Sequence, residues 1–183
     1  MTELAMLAAE VGANERTLRR AVNQGTLRAD RPTPRTLVLP LAERRYVRRS
    51  WSLLGALRSA LRTEQNVRFA LLFGSAATGT DTLVSDIDVM VELRDPSLER
   101  VVDLSAKLEA ATGRRVDVLR LEDADADPLL LADVVADGRV LVDRETRWPR
   151  LLRRETGLRK RGRRQEGDRA RAALGGIDRL LDG

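Results

Sequence analysis

The 183-residue chain contains no cysteine and no histidine. The first absence excludes disulfide frameworks and thiol nucleophiles. The second removes Ser-His-Asp chemistry and nearly all zinc sites, so any general base must be a carboxylate. No apolar run approaches the roughly 18 residues of a membrane span, and the N-terminus carries Glu3 with no basic stretch ahead of an apolar one. Neither a membrane protein nor a secretory leader is expected, and the expected compartment is the cytoplasm. Lysine is scarce as well, because 31 of the 33 basic residues are arginine. With abundant Ala, Leu, Val and Asp, that bias fits a high-GC genome as readily as a functional demand for guanidinium groups.

What is present suffices for a packed core: 43% of the residues are hydrophobic, enough for one domain or two small ones. Charge is segregated along the chain. Lys and Arg against Asp and Glu number 12 against 5 in residues 1–62, 8 against 17 in 63–143, and 13 against 6 in 144–183, giving net charges of +7, −9 and +7. Basic flanks suit a polyanion and an acidic centre suits cations.

Residues 4–24 place Leu4, Leu7, Ala8 and Val11 at helical spacing, then Gly12, then Leu18, Ala21 and Val22. The pattern predicts two short amphipathic helices meeting at a glycine, the second capped by Asn14 and closed by Gly25. It resembles a helix-turn-helix whose second helix turns Arg16, Thr17, Arg19, Arg20 and Asn23 outward, residue types that reach phosphates and base edges; an ordinary helical hairpin would give the same pattern. "TLRADRPTPRTLVLP" (26–40) predicts a hairpin wing carrying Arg28, Arg31 and Arg35. From Leu41 to Arg62 the periodic Tyr46, Val47, Trp51, Leu54, Leu57 and Leu61 predict one long helix joining the two halves, with Tyr46 and Trp51 on its apolar stripe.

In the centre, "VRFALLF" (67–73) and "DIDVMVEL" (86–93) predict buried strands, "LERVVDLSAKLEAATG" (98–113) a helix and "RRVDVLRL" (114–121) a third strand. Strand residues two apart share a face, so Asp86 and Asp88 project together, opposite Ile87, Val89 and Val91. Asp117 is the one acid inside the third strand. If those strands are neighbours, three carboxylates converge, an arrangement that is destabilising unless cations occupy it and whose oxygen donors suit Mg²⁺. Ahead of them, Gly74 permits a sharp turn and Ser75 offers an N–H and a hydroxyl to phosphate oxygens.

Gly-Ser, ten intervening residues, Asp-x-Asp and a later strand Asp resemble the nucleotidyltransferase fold related to DNA polymerase β. The compact chain looks like the minimal nucleotidyltransferases of prokaryotic toxin–antitoxin modules. The resemblance covers roughly residues 53–142. It implies a triphosphate bound with two Mg²⁺ ions, in-line attack of an acceptor hydroxyl on the α-phosphorus of an NTP such as ATP or CTP, and loss of pyrophosphate. Asp86 and Asp88 would hold both ions. Asp117 would hold the catalytic one and could take the nucleophile's proton, Ser75 would meet the β/γ-phosphates, and Ser85 would buttress the aspartate loop. Thr78 stands where many members carry Arg, with Arg68, Arg94 and Arg115 as candidate replacements.

The expected architecture is therefore α+β: a winged helix-turn-helix (1–40), a joining helix (41–62), a nucleotidyltransferase sheet domain (63–143) and a basic helical tail (144–183). Residues 122–143 predict an acidic loop, a short helix and an edge strand. The tail is expected to be helical, with breaks near Gly157, Gly162 and Gly167, and to bind nucleic-acid phosphates or remain a solvated helix. Expected partners are promoter DNA, a cognate toxin or antitoxin protein, tRNA and a second copy of the chain. Two rival functions are a transcriptional regulator with a silent transferase fold and nucleotidylation of a small cationic antibiotic.

Overall fold

Side-chain caps start the first two helices. Thr2 accepts from Ala5 N–H ahead of α1 (Glu3–Glu10), and Asn14 accepts from Thr17 N–H at 2.8 Å ahead of α2 (Glu15–Asn23). Gly12 turns between them at φ +66°. An antiparallel pair, β1 (Asp30–Thr33) and β2 (Thr36–Val38), leads to the 23-residue α3 (Leu41–Thr63). The chain continues through β3 (Val67–Phe73), α4 (Gly74–Thr78), β4 (Ile87–Leu93), α5 (Leu98–Thr112), β5 (Val116–Arg120), α6 (Leu121–Asp125), α7 (Pro128–Asp137), β6 (Arg139–Asp143) and α8 (Trp148–Leu181). This computed structural model describes residues 2–33 and 36–181, with side chains through residue 167. Arg35, expected on the hairpin, lies outside the described residues.

The fold is α+β. Its four-stranded sheet has the order β5-β4-β3-β6, with β4 and β5 parallel and the other neighbours antiparallel. Alternation along the strands separates two cores. Ala70 and Leu72 of β3, Ile87, Val89 and Val91 of β4 and Val116 of β5 pack under Leu7, Leu18, Tyr46, Val47, Leu57 and Leu104 from α1, α2, α3 and α5. Phe69, Leu71 and Met90 face the opposite way, onto Leu131, Val134 and Val135 of α7 and Leu151 and Leu158 of α8. Burying each of the Val, Leu, Ile, Phe and Met side chains among these contributes roughly 1.5–3 kcal/mol. The joining helix α3 is thus part of the core, continuous from α1 to the sheet.

A buried ion pair fastens the same junction. Arg139, at the start of β6, donates to Glu43 of α3 through both terminal nitrogens, at 2.6 and 3.0 Å, and through Nε to the Ala77 carbonyl at 2.5 Å. Its guanidinium stacks 3.4 Å above the Tyr46 ring, and Glu43 also accepts from Arg28 N–H. Both side chains are at most 5% exposed, so each depends on the other for its solvation.

Two expectations need correction. The acidic segment at 122–127 is not all loop, because Glu122, Asp123 and Asp125 lie in α6, anchored by buried Ala124 and by Arg120, which pairs with Asp123 at 2.7 Å. The breaks near Gly157, Gly162 and Gly167 do not occur: α8 is continuous. Gly162 is instead a close-packing position, since a Cβ there would overlap the Leu129 side chain of α7. Tertiary support outweighs the roughly 1 kcal/mol helix penalty of each glycine.

Candidate active site

The antiparallel register pairs Phe73, the last residue of β3, with Asp88, and the parallel register pairs Asp88 with Asp117. Two carboxylates therefore stand side by side on one sheet face at the point where β3 ends in a turn. Asp86 falls just before β4, on the same side as Asp88 by strand alternation. All three face away from the α3 and α5 layer, because the residues alternating with them, Ile87, Val89, Val116 and Val118, face that layer.

Gly74 shapes the turn. It sits at φ +68°, and a Cβ at this position would overlap Oδ2 of Asp88, so glycine lets the carboxylate lie directly against the backbone where α4 begins. Ser75 is the next residue, half-buried, with Ala76 and Ala77 buried behind it. The Thr78 hydroxyl turns back onto its own helix, 3.1 Å from the Ser75 carbonyl, and 2.9 Å from the Thr80 hydroxyl.

Electrostatics follow from this crowding. Partial burial raises the pKa of Asp88 above the ordinary aspartate value, and the charges of Asp117 and then Asp86 raise it further. Asp117 is exposed, and among the described residues its one ion pair joins Oδ1 to Arg115 Nε at 3.4 Å. Among the described residues, no three carboxylates are already drawn together as a cage for an ion. The donor set is nevertheless of the kind that Mg²⁺ takes, all oxygen and mutually repelling.

The loop between α4 and β4 is held by residues that carry no sequence signal. Asp81, 7% exposed, pairs with Arg114 at 2.8 Å and with Arg49 at 3.5 Å. Arg114 also donates to the Ser85 carbonyl, at 2.7 and 3.2 Å, and Arg49 to the Gly79 carbonyl at 2.8 Å. The Ser85 hydroxyl accepts from Thr82 N–H at 3.0 Å, closing the loop just before Asp86. Asp81, Arg49 and Arg114 meet only in the folded chain, 32 and 33 residues apart, which is why spacing could not find them. Of the three candidate replacements for the missing arginine, Arg115 lies beside the carboxylates. Arg68 and Arg94 sit at the far ends of β3 and β4, and Arg68 is bound to Glu145.

The residues proposed to contact DNA lie on α2 in unequal states. Arg19 pairs with Glu15, the Thr17 hydroxyl bonds the Asn14 cap, and Asn23 accepts from Arg31. Arg16 and Arg20 are exposed, and their side chains have no hydrogen bond or ion pair within the described residues.

The polymerase β nucleotidyltransferase family profile matches residues 56–147, the segment that holds Gly74, Asp86, Asp88 and Asp117. A protein adenylyltransferase MntA of Thermococcus cleftensis is 38% identical over 69 residues, which are 37% of this chain and 70% of that protein. Likeness of fold extends to a crystal structure of a toxin–antitoxin with AMP-PNP, at 23% identity and TM-score 0.53, covering 68% of this chain and 97% of that one. A mutant MntA–HpeT toxin–antitoxin gives 21% identity and TM-score 0.52 over the same shares of the two chains. The matched segment spans half of the sequence, and the chain belongs to the polymerase β nucleotidyltransferase family.

Proposed function

We propose that the chain transfers a nucleoside monophosphate, AMP by analogy with the adenylyltransferase relative, from an NTP to a hydroxyl on a partner toxin protein, and so acts as an antitoxin. The carrying observation is the side-by-side register of Asp88 and Asp117 beneath the Gly74 turn. The MntA toxin–antitoxin likeness supports a protein acceptor.

In this reading Asp86, Asp88 and Asp117 hold two Mg²⁺ ions, which when bound neutralise triphosphate charge and make the acceptor hydroxyl more acidic. Ser75 donates to the β/γ-phosphates from the start of α4. Asp117 is solvent-exposed, on the side from which a macromolecular hydroxyl can approach, and takes its proton. The acceptor oxygen bonds to the α-phosphorus as the bond to the bridging oxygen breaks, and pyrophosphate leaves with that electron pair. Ser85, with Asp81, Arg49 and Arg114, fixes the loop that presents Asp86. On the N-terminal side, α2 would bind the chain's own promoter through Arg16 and Arg20, with Thr17, Arg19 and Asn23 alongside. Thr78 favours one second reading, a DNA-binding regulator without transfer, because its short side chain cannot replace an arginine at the phosphates.

Calorimetric titration tests the site. Mg²⁺ with ATP should bind the wild type and not Asp86→Asn with Asp88→Asn, whereas promoter DNA should be retarded equally by both proteins. Wild-type protein that retards promoter DNA and binds no Mg²⁺-nucleotide would select the regulator.

A further inference from the structure

The basic residues of α2 and α3 enclose a second site, at the β6 edge of the sheet, two strands away from Asp88. It is a groove of about 660 Å³ bounded by α2, α3, β6 and the start of α8. Its floor follows one stripe of α3: Trp51, Gly55, Arg58 and Arg62 recur at steps of four, three and four, a run of about 16 Å at the helical rise. Arg20 of α2 lines one side and Trp148 the other.

Three features point to a ligand. Among the described residues the cations lack counter-charges: Arg20 and Arg62 form no side-chain ion pair, and the one hydrogen-bond partner of the Arg58 side chain is the neutral Gln24 amide. Burial, followed by the charges of Arg20 and Arg62, pulls the Arg58 guanidinium below its usual pKa, so the cluster is self-repelling. The acidic lining residue, Asp143, is already occupied, its carboxylate accepting from the N–H groups of Glu145, Arg147 and Trp148 at 3.3, 2.9 and 3.0 Å. Arg144 is likewise engaged, donating to the carbonyls of Leu61, Arg62, Glu64 and Val67 across the turn from α3 to β3.

Gly55 is the third feature. It lies in the middle of α3, where glycine costs about 1 kcal/mol relative to alanine, and a Cβ there would meet nothing within 4 Å. No packing contact among the described residues requires it. A side chain at this position would stand in the groove.

We infer that this groove binds single-stranded nucleic acid, with phosphates on Arg58 and Arg62 and bases stacked against the groove-facing sides of Trp51 and Trp148, whose other sides pack on the two cores. Guanidinium groups one helical turn apart follow a backbone, and flat indoles at intervals accept bases of any sequence. The length of the stripe favours a strand over one mononucleotide. A recessed floor favours splayed bases over the convex surface of a duplex.

The test uses the full chain carrying Asp86→Asn and Asp88→Asn, in EDTA, so that nucleotide binding at the carboxylates does not contribute. A fluorescein-labelled ten-nucleotide single strand is titrated by anisotropy at several salt concentrations, with a duplex of promoter sequence in parallel. Gly55→Leu should weaken single-strand binding at least tenfold, leave duplex binding unchanged, and hold or raise the melting temperature. Arg58→Gln with Arg62→Gln should weaken it and flatten the log–log salt dependence by about 1.4, at ~0.7 per phosphate contact. Single-strand binding that survives both variants, or falls together with duplex binding in Gly55→Leu, would overturn the inference. So would displacement of the probe by AMP at equal phosphate or by poly-glutamate at equal charge, which would reassign the groove to a mononucleotide or an acidic peptide.

Discussion

Gly74 and Asp88 occupy space that no third group can share: a Cβ on the glycine would overlap the aspartate Oδ2. The left-handed backbone at Gly74 and the position of the carboxylate are thus one feature, built where β3 and β4 pair. Gly74→Ala should therefore destabilise the protein by about 1–3 kcal/mol through backbone strain and overlap. It should also abolish nucleotidyl transfer even at temperatures where the variant is folded. Urea denaturation and a transfer assay check the two effects separately.

Asp88→Asn should act with opposite sign on the free protein. The Asp88 carboxyl has its pKa raised by partial burial and by Asp117 and Asp86, so its ionised form is disfavoured in the fold and weakens the free protein at neutral pH. Removing that charge should raise the melting temperature without ligand. The further rise produced by Mg²⁺ with ATP in the wild type should disappear. Thermal melts with and without Mg²⁺-ATP give both numbers.

The pair linking α3 to β6 offers a stability test far from the chemistry. Arg139→Met leaves the Glu43 carboxylate buried without its cation, and should cost about 3–5 kcal/mol. The double variant Glu43→Leu with Arg139→Met should recover much of that loss, because it strands no charge. A double-mutant cycle by chemical denaturation measures the coupling.

Tyr46 predicts an alkaline limit. Burial, reinforced by Glu43 and Asp81 against the opposing pull of Arg139, pushes its hydroxyl pKa up to about 12. The folded protein keeps this proton to higher pH than the unfolded chain, which loses it near 10. The resulting stability is complete below about pH 10 and is lost as pH rises towards 12. Tyr46→Phe should flatten the fall in melting temperature across that range, and an unchanged fall would assign the alkaline limit to other groups.

The carboxylates were legible in the sequence because strand geometry is rigid. Acids two apart in an apolar run must share a face, and one acid in the next parallel strand can meet them by register alone. The α2 cap was legible for a similar reason, since Asn14 acts on an N–H three residues away. Interactions between distant segments were not. Asp81 with Arg114, and Glu43 with Arg139, are each specified by the whole fold and follow no local periodicity. The glycines of α8 misled in the other direction: Gly162 reads as a helix breaker alone, yet the contact with Leu129 of α7 requires a residue without a side chain.

The central claim is transfer at the Asp88–Asp117 pair to a partner protein. Its most direct measurement is incubation of the wild type and Asp117→Ala with α-labelled ATP, Mg²⁺, total tRNA and the product of the adjacent gene, followed by resolution of the labelled species. The account predicts label on the partner protein with the wild type and none with Asp117→Ala. Label on tRNA, or label that survives Asp117→Ala, would contradict it.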